Sequence, residues 1–248
     1  MKPKFLAAAI CMIALFSVNL AYGYHPFSPY AYCMGNPIKF VDPNGEDVWE
    51  INANGEVVSY CEDKTQDAFY MVSQTDGQWQ RTGQELIFDY GTVAKYDKFV
   101  ENTRQYTIFK INGDDNAARF FEFLANPGTT TDVEWAYAKI DDADHSVVGT
   151  NHDKSSVSIG SYVYTRISKL RELTHNHPSG IPLPSVPDKE NAKKYKEKFH
   201  NVKLTIYVYS SGYSPYDESG TLDRRIGILS DGTYVLPDGR RVRLNKGQ

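Results

Sequence analysis

Between His175 and Asp188 the chain reads HNHPSGIPLPSVPD, and Pro178, Gly180, Pro182, Pro184 and Pro187 leave that stretch few conformations. A proline fixes φ and lacks an N–H, so this run is excluded from a helix interior and from a central strand. It reads as a stiff loop that delivers Ser185 and Asp188 at a fixed offset. Just before it, Lys169–Thr174 has the composition of a strand. On extended backbone, residues i and i+2 share a face, so the His175 and His177 imidazoles point the same way. After the loop, the charged run Lys189–His200 reads as a helix. Asp188 then stands near a helix N-terminus, where negative charge is favoured. Two neutral imidazoles and one carboxylate, with a fourth position left open, suit a tetrahedral Zn2+ of the catalytic kind. The expected metal ligands are therefore His175, His177 and Asp188.

The spacing H-x-H-P, six residues, S-x-x-D is filled at His175, His177, Pro178, Ser185 and Asp188. This pattern resembles that of the JAB/MPN metalloproteases, also called JAMM proteins, and its wording is closest to their bacterial RadC-like branch. The resemblance implies an α/β (α+β) fold, with a curved mixed β-sheet flanked by helices. It also implies a zinc hydrolase of peptide or isopeptide bonds. In such proteins a glutamate on the strand after the first helix holds the zinc-bound water, and here that position falls on Glu134. Ser185 takes the role of oxyanion donor by the same resemblance; Ser179, next to Gly180 in the turn, is off the motif.

The chain reads in order as follows. Met1–Gly23 has the form of a secretory signal, with Lys2 and Lys4 ahead of an apolar run and Ala21-Tyr22-Gly23 as a cleavage site. The apolar run is too short for a comfortable membrane span, so no stable membrane insertion of the mature chain is expected. Export to the periplasm or outside the cell follows. Residues 24–45 form an aromatic- and proline-rich strip ending in the turn Asp42-Pro43-Asn44-Gly45. Its SPYAYC, NPIKF and DPNG phrases resemble the end of the RHS-repeat-associated core, behind which that family carries a variable toxin. Of the three cysteines, Cys11 lies in the signal, and nothing in the spacing of Cys33 and Cys61 demands a disulfide.

Residues 46–103 read as a β-rich N-terminal region. Asp47–Asn52 and Glu56–Tyr60 flank Ala53-Asn54-Gly55, a hairpin signal, and Leu86–Phe88 and Tyr106–Ile111 read as further strands. Eighteen tyrosines and 13% aromatic residues agree with a strand-rich chain. A hydrolase core is expected over 104–229. It begins with an amphipathic helix after Asp114-Asp115, closed by Pro127-Gly128. Thr129–Asp141 is expected to be a strand, with Glu134, Ala136 and Ala138 on one face. The alternative for Glu134 is an exposed strand residue. Glu122 is expected to be solvated, and Glu172 to face away from both histidines. His145–His152 and Ser156–Arg166 read as strands; His145, His152 and His200 lack a partner at ligand spacing and read as surface histidines. Val202–Tyr209 alternates as a half-buried strand, and Ser210–Asp223 reads as a loop overhanging the site. Ile226–Leu229 and Thr233–Leu236 form a hairpin around Asp231-Gly232, and a C-terminal hairpin tail is expected over 230–248.

The formal net charge of −4 argues against a general nucleic-acid binder. The reading that results is an exported, RHS-associated toxin effector with a zinc peptidase or isopeptidase site. Its partners would be a peptide or protein substrate and a cognate immunity protein, with no nucleic acid. The alternative is a non-catalytic binding or adhesive effector that keeps the JAB-like fold. A metal-dependent nuclease is the weaker third class, because the chain is acidic and the motif provides one metal.

Overall fold

Apolar side chains two residues apart sort the strands of this protein onto two faces, and both faces are buried. In the computed structural model the described residues are 46–222, apart from 142 and 158, together with 227–228, 233–235 and 241–243. The expected signal (1–23), the strip at 24–45, Cys11, Cys33 and the C-terminal Asp-Gly turns lie outside them.

Four strands, β1 (Glu46–Ile51), β2 (Val57–Lys64), β3 (Gln66–Thr75) and β4 (Gln78–Asp89), form one sheet in the order β2-β1-β3-β4. β1 and β2 are the expected antiparallel hairpin, whereas β3 lies parallel to β1. The β3–β4 turn uses Asp76 and Gly77, both at positive φ (51° and 74°), as a tight two-residue hairpin turn requires.

The larger sheet has eight strands. They are β5 (Val93–Glu101), β6 (Arg104–Asn112), β7 (Ala136–Ile140), β8 (His145–Thr150), β9 (Leu170–Asn176), β10 (Lys203–Val208), β11 (Gly212–Asp217) and β12 (Gly220–Thr221). Their order is β12-β11-β10-β9-β7-β8-β6-β5. β9 and β10 run parallel, as a strand–helix–strand connection demands, and their neighbours pair antiparallel. Among the described residues there are three helices: α1 (Asp114–Leu124), α2 (Ile159–Arg166) and α3 (Val186–Lys198). A small antiparallel sheet of β13 (Gly227–Ile228), β14 (Thr233–Val235) and β15 (Arg241–Arg243) follows. The expected mixed, strand-rich α+β class is therefore what the chain adopts.

One face of the large sheet contributes Phe109, Ile111, Tyr137, Val148 and Tyr207 to a core shared with α1 and the four-stranded sheet. The opposite face contributes Ile108, Ala136, Ala138, Val147, Leu173, Leu204 and Ile206 to a second core, packed against α2 and α3. Their alternation along β6, β7, β8 and β10 is the period of two that a doubly covered sheet enforces. His175 shares the parity of Leu173, so it belongs to the face covered by α3. Close packing also dictates a glycine on β8. A methyl group at Gly149 would lie 2.5 Å from the Ile108 side chain and 2.6 Å from that of Ile159.

Four expectations are corrected, three of them about strands and loops. Ser156–Arg166 is not a strand: Ile159–Arg166 is α2, whose Ile159 and Val163, with Ile167 just beyond it, recur at a spacing of four and enter the second core. The tyrosine and valine content of that run imitated a strand. Nor is Ser210–Asp223 a plain loop. Ser214 and Tyr216 alternate inward along β11, which pairs antiparallel with β10 in spite of its polar composition. The third concerns Thr129–Asp141, of which only Ala136–Ile140 is strand. Residues 130–135 are irregular backbone ahead of β7, so Glu134 precedes the strand rather than riding on it. Glu122 is half-buried, not solvated, and accepts a hydrogen bond from the Tyr213 hydroxyl at 2.7 Å.

Candidate metal centre

His175 is the penultimate residue of β9 and His177 lies one step past its end, so both rings leave the same side of the sheet. The rings meet with Nε2 atoms 3.0 Å apart. Pro178 and the turn closed by Gly180 N–H donating to the His177 carbonyl then carry the chain over the sheet end. Gly180, at φ 78°, allows that turn. The chain returns at Ser185, which caps α3.

Ser185 and Asp188 form a reciprocal capping box. The Ser185 side chain accepts from the Asp188 N–H, and Asp188 accepts from the Ser185 N–H at 2.7 Å. Thus the helix starts at Val186, earlier than the charged run suggests, and Asp188 belongs to its first turn. The S-x-x-D of the metal motif is at the same time a helix start signal. The box orients the carboxylate so that Oδ1 is 3.3 Å from His175 Nε2 and Oδ2 is 3.5 Å from His177 Nε2.

His175, His177 and Asp188 are a group that could hold a metal ion, each offering one ligand atom, all within 4.8 Å of one another. The fit can be tested on the edges of the cluster. Ligands bound at about 2.0–2.1 Å in a tetrahedron stand about 3.3–3.4 Å from each other. The two Nε2 atoms, 3.0 Å apart, and the Asp188 carboxylate, with Oδ1 3.3 Å from one ring and Oδ2 3.5 Å from the other, are near that spacing. The tautomer fits too. His177 Nδ1 lies 2.7 Å from the Ile181 carbonyl oxygen, which can only accept, so Nδ1 carries the proton and Nε2 keeps its lone pair.

Electrostatics agree with a site built around a positive charge. Burial works to raise the Asp188 carboxyl, but hydrogen bonds with both imidazoles and with Ser185 outweigh it and hold it far below the usual range. His175 is fully enclosed, and burial pushes its pKa down despite Asp188 beside it. For His177 burial acts in the same direction but is overcome by Asp188, Glu134 and the Ile181 carbonyl, so its pKa rises.

The Glu134 carboxyl lies close enough to this cluster to feel the charges of His177 and Asp188. The residue is 7% exposed, and burial, reinforced by Asp188 and Asp153 and opposed by His177, pushes its carboxyl up to about 8. Its peptide is fixed on both sides: the N–H donates to the Asp153 carbonyl at 2.8 Å, and the carbonyl accepts from the Thr150 hydroxyl at 2.7 Å. The neighbouring residues are clamped by Asn176, which sits between the two histidines and points the opposite way. Asn176 Oδ1 accepts from the Trp135 N–H at 2.5 Å, and its amide donates to the Val133 carbonyl at 3.4 Å. The sequence reading passed over Asn176. Its signal was an amide between two ligands, which must face the sheet's other side and find partners there.

The remaining expected residues fall as follows. The Ser185 hydroxyl lies 2.6 Å from Asp188 Oδ2, so in this geometry it is used within the capping box. Ser179 and His200 are exposed, and His145 is half-buried at the start of β8. Glu172 faces away from the histidines, as expected, and pairs with Lys139 and Lys203, each at 3.2 Å. His152 is no surface histidine: its ring bridges the Thr107 hydroxyl (3.1 Å) and the Asn54 carbonyl (3.0 Å).

Residues 109–201 match the family model described as JAB-like toxin 1. The match supports a JAB-like toxin domain. It runs from β6 to just past α3, well under half of the 248 residues, and contains Glu134, His175, His177, Ser185 and Asp188. The four-stranded sheet lies outside the JAB-like stretch. No curated protein and no solved structure matches the chain.

Proposed function

We propose that this protein is a zinc-dependent hydrolase of peptide or isopeptide bonds, of the JAMM type, acting as a toxin effector. The observation that carries the reading is the convergence of His175 Nε2, His177 Nε2 and the Asp188 carboxylate within 4.8 Å of one another, with the buried Glu134 carboxyl close enough to feel the charges of His177 and Asp188. A bound Zn2+ would polarise the scissile carbonyl and lower the pKa of a coordinated water from about 15.7 to about 7.

Glu134 orients the attacking water, accepts its proton and passes it to the departing nitrogen. Burial raises its affinity for the proton it must carry, and the charge of a bound cation beside it would offset that rise and leave it able to act as a base. Ser185 is the donor for the developing oxyanion, a role worth about 3 kcal/mol in comparable sites. One hydroxyl proton serves one acceptor at a time, so the Ser185 O–H must turn from Asp188 to reach substrate.

The substrate is a peptide or protein, and a cognate immunity protein would protect the producing cell. The strip at 24–45 and the N-terminal signal support RHS association and export. No described helix is long and apolar enough to cross a membrane.

Mapping new protein N-termini in target cells, with wild-type chain against Glu134→Gln, tests this function. Cleavage products that vanish in Glu134→Gln while its zinc content stays at wild-type level are expected. Identical products would remove Glu134 from the mechanism, and toxicity without any cleavage in either sample would leave the binding or adhesive effector as the surviving account.

A further inference from the structure

The β1–β2 turn, Asn52–Glu56, lies far from the metal motif in sequence, yet it touches both segments that hold Glu134. Its Ala53 carbonyl accepts from the Asp132 N–H at 2.8 Å, two residues before Glu134. Its Asn54 carbonyl accepts from His152 Nδ1 at 3.0 Å, and the next residue, Asp153, supplies the carbonyl that receives the Glu134 N–H. Gly55 fills the gap between these two points. A methyl group built there would lie 3.0 Å from both the Trp135 ring and the Val133 side chain, the residues on either side of Glu134. Carbon atoms in contact sit at about 3.5–4.0 Å, so a methyl at this position must push one of them aside.

The turn is stiff enough to act as a brace. Asn52 Oδ1 accepts from the N–H groups of Asn54 and Glu56, each at 3.0 Å. Asn52 Nδ2 donates to the Glu56 carboxylate at 2.8 Å, and the Gly55 N–H donates to the Asn52 carbonyl at 2.9 Å. On the far side, the His152 ring is anchored by the fully buried Thr107.

We propose that the β1–β2 turn is a positioning element of the metal centre: Ala53, Asn54 and Gly55 set the height of the Asp132–Trp135 segment and so the place of the Glu134 carboxylate. The four-stranded sheet, outside the JAB-like stretch, is then part of the catalytic apparatus rather than an appendage. This rests on the reading of Glu134 as the group that handles the water.

The test loads the full chain with Co(II) and follows the pH midpoint of its visible absorption, which needs no substrate. A nearby carboxylate sets that midpoint through its charge, so Glu134→Gln defines the full shift. Gly55→Ala is expected to move the midpoint by a substantial part of that shift with Co(II) affinity unchanged. The control is Gly77→Ala, which has the same positive φ (74° against 73°) but open space around it. It pays the same backbone strain and should leave the midpoint at the wild-type value. Should Gly55→Ala fail to fold, His152→Asn removes the second contact while tolerating the φ of 62°, with a smaller shift in the same direction. A wild-type midpoint in the folded brace variants, or an equal shift in Gly77→Ala, overturns the proposal while Glu134 keeps its role. A wild-type midpoint in Glu134→Gln overturns the reading of Glu134 itself, and the brace with it.

Discussion

The two halves of the candidate centre are built by opposite means. The metal-ligand half is local: a strand end, a proline-stiffened loop and a capped helix start bring His175, His177 and Asp188 together within one short stretch. The Glu134 half is assembled from afar, by Thr150, Asp153, Asn176 and the turn at Ala53–Gly55. A site half whose geometry is set by neighbours in sequence can be written into a motif. One held by tertiary hydrogen bonds cannot.

The largest effect expected from breaking the local half is loss of the metal. His175→Ala should take purified protein from near-stoichiometric zinc to almost none, read by elemental analysis, because two ligands cannot complete the site. Breaking the distant half should separate binding from chemistry: Glu134→Gln keeps the metal and loses nearly all hydrolysis. Equal loss of metal in both variants would erase the distinction between the halves.

That distinction explains what could be read from the chain beforehand. The ligands and the helix behind them were legible because H-x-H followed by prolines admits one geometry, and alternation along Val202–Tyr209 placed the strand beside them. Glu134 was reached only through resemblance, and its setting was misjudged. The run Thr129–Asp141 alternates like a strand, but Thr130 and Thr131 spend their hydroxyls on carbonyls at the end of α1, which ties the first part of the segment to the helix end and keeps it out of the sheet. Asn176 is marked locally only by its place between two ligands, and its partners lie more than 40 residues away, so its clamp could not be read from the chain. Likewise β11 was hidden by its polar residues and Pro215, and α2 by β-favouring side chains overridden by packing.

Removing the clamp sharpens the comparison at smaller cost. Asn176→Ala leaves the buried Trp135 N–H without its acceptor, which should cost about 1–3 kcal/mol in urea unfolding, with zinc content preserved. A matching loss of zinc would show that the clamp serves the ligands rather than Glu134. Ser185→Ala removes the α3 cap and should cost about 1 kcal/mol, and it should weaken zinc affinity because the capping box orients Asp188.

The smallest effect concerns His152 at the brace. Burial lowers its pKa below the ordinary value of 6.5, and the ring is held neutral between Thr107 and Asn54. The unfolded chain takes up this proton first as pH falls. The stability it contributes is therefore whole above about pH 6.5 and declines below it, toward the lowered folded value. His152→Asn should be less stable at neutral pH and show a shallower loss on acidification over that window. An unchanged slope would mean that the ring does not titrate with unfolding.

The central claim is that one divalent ion is held by two imidazoles and one carboxylate. X-ray absorption of the zinc-loaded protein tests it most directly. The account predicts a shell of nitrogen and oxygen at about 2.0–2.1 Å with the outer scattering of two histidine rings, and a one-ring signal in His177→Ala. A sulfur shell at about 2.3 Å, or a spectrum without imidazole scattering, would contradict it.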